Sequence, residues 1–532
     1  MTEMPKKRLA IIVDAGSLKR WQHDALRAVA DDHDIYHLVV ENERTPKRRL
    51  PKHAGYYALN ALALKNAKTR KLGLQADNLD PSKTLRFTPD YEGAWASFPA
   101  EVGEWLEANR IDAVIKFAMS LVRIPDGFPP ILSYHHGNPD HYRGRPAGFY
   151  ELLNGEHFVG QIVQILSNEL DAGEVLAFGE TQVKPQSYRA TMVAAYSLSP
   201  YLLPKALDNL FSGERIAMKS DGRNYRLPSN MQVARAGFAM VRATVSRLVY
   251  GAFFEKRWQV STLPDAVGSA DIEGDLDRIS SARSDWRDVP QVDGYTFLAD
   301  PFYAGDGSML VEGLNARTGK GEILRIDAEG GRPLSVKDGT HLSYPAVYER
   351  DGRTICIPEM AQAASCRVYE FQAERMVESG SIDAGTGGII DPTFHRSGGK
   401  EYLFGNLAAD DARVLRLWIA DGLDDTFVEH PASPIRLSCR GARMGGLIAE
   451  IDGTAYRFGQ DCKTAYGDAL LVFRIDALTP TEYAETFIGR LAFDGVKGPH
   501  TLNLRGKEAL FDWYEEKFSL LAGVRRLRAR LG

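Results

Sequence analysis

The stretch "PPILSYHHGNPDHYRGRPAG" (Pro129–Gly148) runs from an apolar segment straight into a turn crowded with polar groups. Ile131 to Tyr134 reads as a short buried strand, Gly137-Asn138-Pro139-Asp140 is turn chemistry, and Pro146 opens a helix. Upstream the same grammar repeats. "RLAIIVD" (Arg8–Asp14) is a strand, and the segment from Lys19 to Asp34 is a helix with Trp21, Leu26 and Val29 turned inward. "IYHLVVENE" (Ile35–Glu43) is a second strand, Glu101–Asn109 a helix, and Ala113–Phe117 a third strand. Strands alternating with helices build an open α/β sheet, and ligands of such sheets sit at the carboxyl ends of the strands. His135 occupies one such end.

Composition narrows the class. A chain of 532 residues implies two or three domains, and 44% hydrophobic with 25% charged residues is ordinary for a soluble protein. A net charge of −5 gives no general attraction to nucleic acid. Basic charge is concentrated in the C-terminal "VRRLRARLG" (Val524–Gly532). The apolar run after the N-terminus is too short for a secretory leader, and no run is long enough to span a membrane. Cys356, Cys366, Cys439 and Cys462 have no metal-binding spacing. They read as reduced, buried thiols of a cytoplasmic protein, and no metal is expected.

The residues around the turn suit proton transfer. His135 is the candidate general acid–base, because imidazole titrates near neutral pH. Downstream, "GQIVQILSNELDAGEVLA" (Gly160–Ala177) is a strand followed by an acidic turn that returns Asp171 to the same sheet edge. A carboxylate bonded to His135 fixes its tautomer. His136, Tyr142, Arg143 and Gly144 fall on the substrate side, Arg143 to orient an anionic group and Gly144 to permit close backbone approach.

These motifs together, "HHGNPDHYRGRPAG" and "GEHFVGQIVQILSNELDAGEVL", resemble the signature of the 10-formyltetrahydrofolate-dependent formyltransferases. The resemblance covers about Arg8 to Leu210 and implies a Rossmann-like α/β fold with an Asn-His-Asp catalytic triad. The His and Asp map onto His135 and Asp171. The Asn position falls on Ser133, with Asn138 in the neighbouring loop, or His136, as the alternative donor. The family's Thr-x-His element is altered, leaving Gln161 and Gln164. The cosubstrate 10-formyltetrahydrofolate is then expected near Lys116, Phe117, Met119, Leu121, Arg123 and Gly173. No Gly-x-Gly-x-x-Gly follows the first strand, which argues against a nicotinamide enzyme.

Residues 188–256 read as a helical connector. Val233, Phe238, Val241, Val245 and Leu248 keep near-helical spacing, with Arg235 and Arg242 away from them. The expectation is a connector packed between domains, with peripheral membrane contact as the second reading. From residue 257 to 516 strands dominate, and Pro301, Pro345, Pro392, Gly446 and Pro499 recur every 44–54 residues before a Gly turn. That period of strands predicts an all-β five-bladed propeller; residues 517–532 form a basic tail. The units resemble the propellers of the furanosidase and fructosidase superfamily and the N-terminal module of plant glucosamine inositolphosphorylceramide transferase, with "AYRFGQDCKTAYGDAL" (Ala455–Leu470) the most specific echo. The resemblance implies a site near the axis from Asp300, His341, Tyr344, Glu359, Asp391, Arg443, Arg457, Gln460, Asp461, Tyr466 and His500.

The resulting expectation is a formyltransferase acting on the amino group of a nucleotide- or lipid-linked amino sugar, with the propeller holding the glycan and a homodimer as the assembled form. No nucleic acid is expected as a partner. Two alternatives stand beside it: a propeller that is itself a glycosidase or glycosyltransferase half, and a non-catalytic glycan-binding scaffold. No glutamate stands in the context of a glycosidase proton donor, which favours binding over cleavage.

Overall fold

The computed structural model describes residues 6–531 except 15–16, 42–49, 66–67, 74–78, 94, 120, 169–172, 269–271, 335–339, 351, 361–364, 373–374, 386, 411–412 and 464–465. The chain divides into two compact units, Met1–Thr244 and Val245–Gly532.

The first unit is built on a seven-stranded sheet. Its strands are β1 (Arg8–Asp14), β2 (Asp34–Val40), β3 (Thr84–Phe87), β4 (Ala113–Lys116), β5 (Ile131–His135), β6 (Phe158–Ile165) and β7 (Glu174–Gln182), in the order β7-β6-β5-β4-β1-β2-β3. The pairs from β3 through β5 are parallel, whereas β5–β6 and β6–β7 are antiparallel. Leu9 to Val13 are all fully buried, as a central strand covered on both faces requires. Helices α1 (Arg20–Arg27), α2 (Ala100–Ala108), α3 (Phe149–Asn154) and α4 (Tyr188–Ser212) follow, and α5 (Asn230–Phe253) continues across the boundary between the units. The chain leaves β1 toward one edge and re-enters at β4 on its other side. That reversal is where α/β sheets open a crevice.

The second unit is mostly β. Five antiparallel sheets of four or five strands follow one another in sequence, except that the first combines β8 (Phe254–Leu263) with the C-terminal β15 (Glu508–Phe518). The remaining four begin with β9 (Tyr295–Tyr303), β10 (Ser343–Arg350), β11 (Ile389–Ser397) and β12 (Arg440–Met444); β13 (Thr454–Asp461) and β14 (Tyr483–Leu491) are later strands of the last. A short helix, α6 (Ala522–Leu531), ends the chain.

The sequence repeat has a structural counterpart. In β9, β10 and β11 the pairing register slips at Asp300-Pro301, Tyr344-Pro345 and Asp391-Pro392. The residue before each proline takes a positive φ, 47°, 44° and 47°. In β12 the slip falls between Arg440 and Arg443, with Gly441 at φ 76°. The fourth repeat point is therefore Gly441 and not Gly446, because the bulge, and not the later turn, is what recurs.

Candidate functional site

His135 ends β5, and Ser133, two residues earlier, lies between Lys116 of β4 and Gln164 of β6 in the sheet register. The His135 Nε2 lies 3.0 Å from the Tyr142 carbonyl oxygen. A carbonyl only accepts, so Nε2 carries the proton and Nδ1 is left with its lone pair, the form a general base needs. Asp171, the expected orienting carboxylate, lies outside the described residues. Gly173 is held so close to β6 that a Cβ there would meet the Ile165 carbonyl at 1.9 Å. The Gln164 Oε1 is buried beside Ser133 without a hydrogen-bond partner among the described residues.

Several residues expected at this site are engaged elsewhere. His136 packs edge-on against Trp21 and Tyr196, ring centres 5.0 and 4.8 Å away, and burial pushes its imidazole down to about 3. It is a neutral core residue, not a proton carrier. Asn138 folds its Oδ1 back to accept from the Asp140 amide, so it closes the turn instead of reaching His135. The Tyr142 hydroxyl donates to Glu156 and accepts from Asn154, while Gly144 lies so close to Tyr225 that a Cβ would strike its carbonyl at 2.2 Å. The close approach at Gly144 thus serves the protein's own chain, Tyr142–Gly144 pairing with Arg223–Tyr225, and Arg143 lies in the same short ladder. Of the expected folate contacts, Lys116 donates to the Met119 carbonyl, Met119 is buried in the core beside Val122, and Arg123 stacks over Trp95. Phe117 packs against Trp21, and Leu121 is half-buried in the following loop.

A feature the sequence reading passed over is a basic cavity of about 830 Å³ lined by Lys19, Lys65, Arg70 and Lys71 with Tyr57 and Tyr196. Burial, then the neighbouring Lys71, lowers the Lys19 ammonium below its ordinary range. Tyr196 links the cavity to the strand end, because its ring lies against His136, the residue after His135. The signal was the basic run Lys68-Thr69-Arg70-Lys71.

Glu151 in α3 is also buried in this unit, and desolvation raises its carboxyl from 4.5 to about 8. The folded state therefore holds a proton that the unfolded chain loses above 4.5, so stability falls as pH rises from there toward 8. Glu151→Gln is expected to remove that slope and raise stability at pH 7 by on the order of 3 kcal/mol. Thermal melts of both proteins from pH 5 to 8 check this; superimposable pH profiles would sink it.

In the second unit, the bulged strand ends and their neighbours converge. The Asp512 carboxylate accepts from the amides of Asp300, His500 and Thr501, each at 3.0 Å, and lies 2.5 Å from His500 Nδ1. Asp300 accepts from Thr501 Oγ1 and the Tyr344 amide and lies 3.5 Å from His500 Nε2. Burial alone would lower the His500 imidazole; the carboxylates of Asp512 and Asp300 override it and hold it above its ordinary value. Asp300, His500 and Asp512 each offer a ligand atom within 4.8 Å of the others, and the ion pairs among them account for that proximity. Asp391 is gripped by Arg443 and by Gln460 Nε2, and its amide donates to Glu359. Desolvation, then Asp391, drives the Glu359 carboxyl well above its usual range. The Tyr344 hydroxyl bonds Thr393 and Gly446, and Leu502 donates to Gly445. These bonds join the sheets in chain order and return the last to the first.

Asp300, Tyr344, Glu359, Asp391, Arg443, Gln460 and His500 thus lie in one bonded network, with Tyr466 over Arg443 and His341 3.8 Å from Glu312. Arg457 and Asp461 do not join them. Arg457 pairs with Glu485 on β14, and Asp461 with Arg490 on the same strand. Alternation along β13 sends Arg457 away from Gln460. Glu312 and Asp512 were missed; each is a lone carboxylate inside an apolar run, "MLVEG" and "ALFDW". Asp300 and Asp391 both have their oxygens committed to neighbours, an arrangement suited to shaping a polar pocket more than to nucleophilic cleavage.

Comparison with known proteins gives one family match and a set of distant structural similarities. The family described as glucosamine inositolphosphorylceramide transferase 1, N-terminal, matches residues 293–507. Glucosamine inositolphosphorylceramide transferase 1 of Oryza sativa subsp. japonica is 28% identical over 326 residues, covering 51% of this chain and 43% of that protein. The Arabidopsis thaliana protein of that name is 28% identical over 231 residues, 38% of this chain and 30% of its own. The chain spans less than half the length of these curated relatives. Among solved structures, an N-formyltransferase from Helicobacter canadensis, in complex with folinic acid and dTDP-3-aminofucose, is 11% identical with a TM-score of 0.29, over 44% of this chain and 81% of that one. A 4-N formyltransferase from Francisella tularensis is 12% identical with a TM-score of 0.28, over 44% and 87%. The chain is thus similar over residues 293–507 to the N-terminal part of glucosamine inositolphosphorylceramide transferase 1.

Proposed function

We propose that the first unit transfers a formyl group from 10-formyltetrahydrofolate to the amine of a phosphate-bearing amino sugar, and that the second unit binds the glycan. The observation that carries this reading is the His135 imidazole at the carboxyl end of β5 with its Nε2 held by the Tyr142 carbonyl; a basic cavity lies on the other side of that strand end, behind Tyr196 and His136. Four cations suit a di- or monophosphate, and the two tyrosines suit a sugar or base face. The acceptor amine attacks the formyl carbon, the C–N10 bond breaks, and the amine's proton passes to His135 Nδ1 and on to the departing nitrogen. Ser133 donates to the developing oxyanion. The unpartnered Gln164 Oε1 accepts from a bound amine or pterin N–H, which repairs a buried acceptor otherwise left unsatisfied. Asp171 is proposed to stabilise the His135 imidazolium formed as the proton is taken up, the Tyr142 carbonyl having set the tautomer.

In the second unit, the closed succession of five sheets supports a five-bladed propeller with its polar cluster at the axis. Weak similarity to a glycolipid-forming transferase family over residues 293–507 fits a role in glycan or glycolipid assembly.

The test is direct. Purified protein with 10-formyltetrahydrofolate and a panel of nucleotide-linked and lipid-linked amino sugars should yield an N-formyl product by mass spectrometry. Lys71→Ala should raise KM for the phosphate-bearing acceptor by about tenfold, with kcat little changed. No formylated product from any acceptor, together with no binding of 5-formyltetrahydrofolate, overturns the reading.

A further inference from the structure

The first unit has a second cationic cavity besides the one lined by Lys19. About 500 Å³ lies between α3, the start of α5 and the segment Arg223–Leu227 that joins the run between them. Arg223, Arg226 and Arg235 line it, and no aspartate or glutamate does. None of the three makes an ion pair among the described residues. Glu156, in the turn after α3, accepts from the Tyr142 hydroxyl instead. Arginines spread over a convex surface are solvated one by one, but around a cavity their fields add and draw in an anion. The wall that carries Arg235 is held in place. Helix α5, expected as a packed connector, packs only at its start: Val233, Ala236 and Met240 join the first unit's core, whereas Phe238, Val241, Val245 and Leu248 stand exposed. Arg235 belongs to the packed part.

The rest of the lining narrows the ligand. Tyr150 and Tyr225 form an aromatic wall, ring centres 4.2 Å apart, and the Arg223 guanidinium lies 5.1 Å from the Tyr225 ring. A guanidinium laid against a ring is held flat, so it loses less freedom on bonding an oxyanion, and its fork matches two phosphate oxygens. The Asn154 and Asn224 amides add hydrogen-bonding groups at the same wall. A bare phosphate leaves most of this volume empty, whereas sites of roughly 300–1,000 Å³ are those that take organic ligands. A flat ring with a polar edge, joined to a row of negative charges, meets each of these features.

The cavity is also tied to the loop that holds His135. Arg223–Tyr225 pairs in parallel with Tyr142–Gly144, and the Tyr225 carbonyl accepts from the Arg145 amide at 3.1 Å. The Gly222 amide donates to the Pro139 carbonyl at 3.0 Å, and the Tyr150 hydroxyl donates to the Arg226 carbonyl at 2.8 Å. The Tyr142 carbonyl of this ladder is the one that keeps the His135 proton on Nε2. We propose that the cavity binds a nucleoside diphosphate, phosphates on the arginines and base on the tyrosine wall, and that the bound ligand steadies the ladder carrying the Tyr142 carbonyl. A two-stranded ladder of this length is marginal by itself, so ligand contacts made through Arg223 and Arg226 add to what holds it.

Binding here needs neither folate nor turnover, so the purified full chain suffices. Calorimetric titration at low salt with ADP, GDP, UDP and CDP should show binding of at least one of them, with inorganic pyrophosphate about tenfold weaker for want of a stacked base. The same titrations on Lys71→Ala set aside phosphate held by the other cavity, and the nucleotide should still bind. Arg226→Ala and Arg235→Ala replace exposed side chains, so the circular dichroism spectrum should stay unchanged while each weakens the nucleotide about tenfold. Hydrogen exchange over residues 139–145 should slow when the nucleotide is added. No nucleotide binding overturns the proposal. So does binding that disappears in Lys71→Ala and persists in both arginine variants, which places the ligand in the other cavity. Pyrophosphate binding as tightly as the nucleotide removes the base from the site. Unchanged exchange at saturation overturns the steadying of the ladder.

Discussion

His135→Ala is expected to lower the rate of formyl transfer by about 10²- to 10⁴-fold, the usual contribution of a positioned general base, while leaving 5-formyltetrahydrofolate bound. The argument rests on tautomer and place. The Tyr142 carbonyl fixes the proton on Nε2, so Nδ1 keeps its lone pair at the carboxyl end of β5. Alanine removes that acceptor without touching the sheet hydrogen bonds. The neighbouring histidine supplies the control. His136 is held among Trp21, Tyr134 and Tyr196 with its imidazole pushed down to about 3, so it stays neutral at physiological pH. His136→Ala should therefore cost stability through lost packing yet keep most of the turnover per folded molecule. Single-turnover kinetics on both variants, normalised to folded protein, separates the two roles. Equal losses in both would remove His135 from the chemistry.

That contrast also marks how far the sequence was readable. The strand end and the bulged X-Pro repeats are local features, and their elements appear where the pattern of apolar and turn residues places them. What pattern does not carry is direction. His135 and His136 are adjacent letters, but on a strand successive side chains leave on opposite faces. Only the aromatic box around Trp21 shows which of them is core. Gly144 looked like a place for substrate and proved to be a place for Tyr225, because a glycine records that something approaches without saying what. The basic cavity was illegible for a related reason: Lys19 and Lys71 meet only because the segments Ser17–Lys19 and Lys71–Gly73 pair. In the second unit the repeat located the bulges, and the same alternation that hid His136 misassigned Arg457 and Asp461.

Arg457→Met is expected to destabilise the second unit by about 3–5 kcal/mol. Arg457 is fully buried; its guanidinium makes two bonds to Glu485, at 2.8 and 2.9 Å, and one to the Gly441 carbonyl at 2.7 Å. Burial by itself would raise the Glu485 carboxyl; Arg457 reverses that and holds it below its ordinary value. Methionine fills much the same volume, so the loss measures charge and not packing. It leaves Glu485 with Arg436 at 3.1 Å and the Tyr483 hydroxyl at 2.6 Å, too little to solvate a buried carboxylate. The pH dependence gives the sign. In the wild type the depressed carboxyl contributes stability that is present above its unfolded value of 4.5 and lost as pH falls through the folded one. In the variant the carboxyl rises instead, so the deficit should be largest near neutral pH and shrink as pH falls from the variant's raised value to the wild type's lowered one, the unfolded chain being common to both. Adding Glu485→Leu should return most of the loss, because an apolar pair replaces the buried ion pair and Arg436 turns to water. Denaturant titration of the single and double variants decides the matter: a double variant no more stable than Arg457→Met would mean that the guanidinium acts through the Gly441 carbonyl, as a clamp on the fourth bulge, and not through its pairing with Glu485.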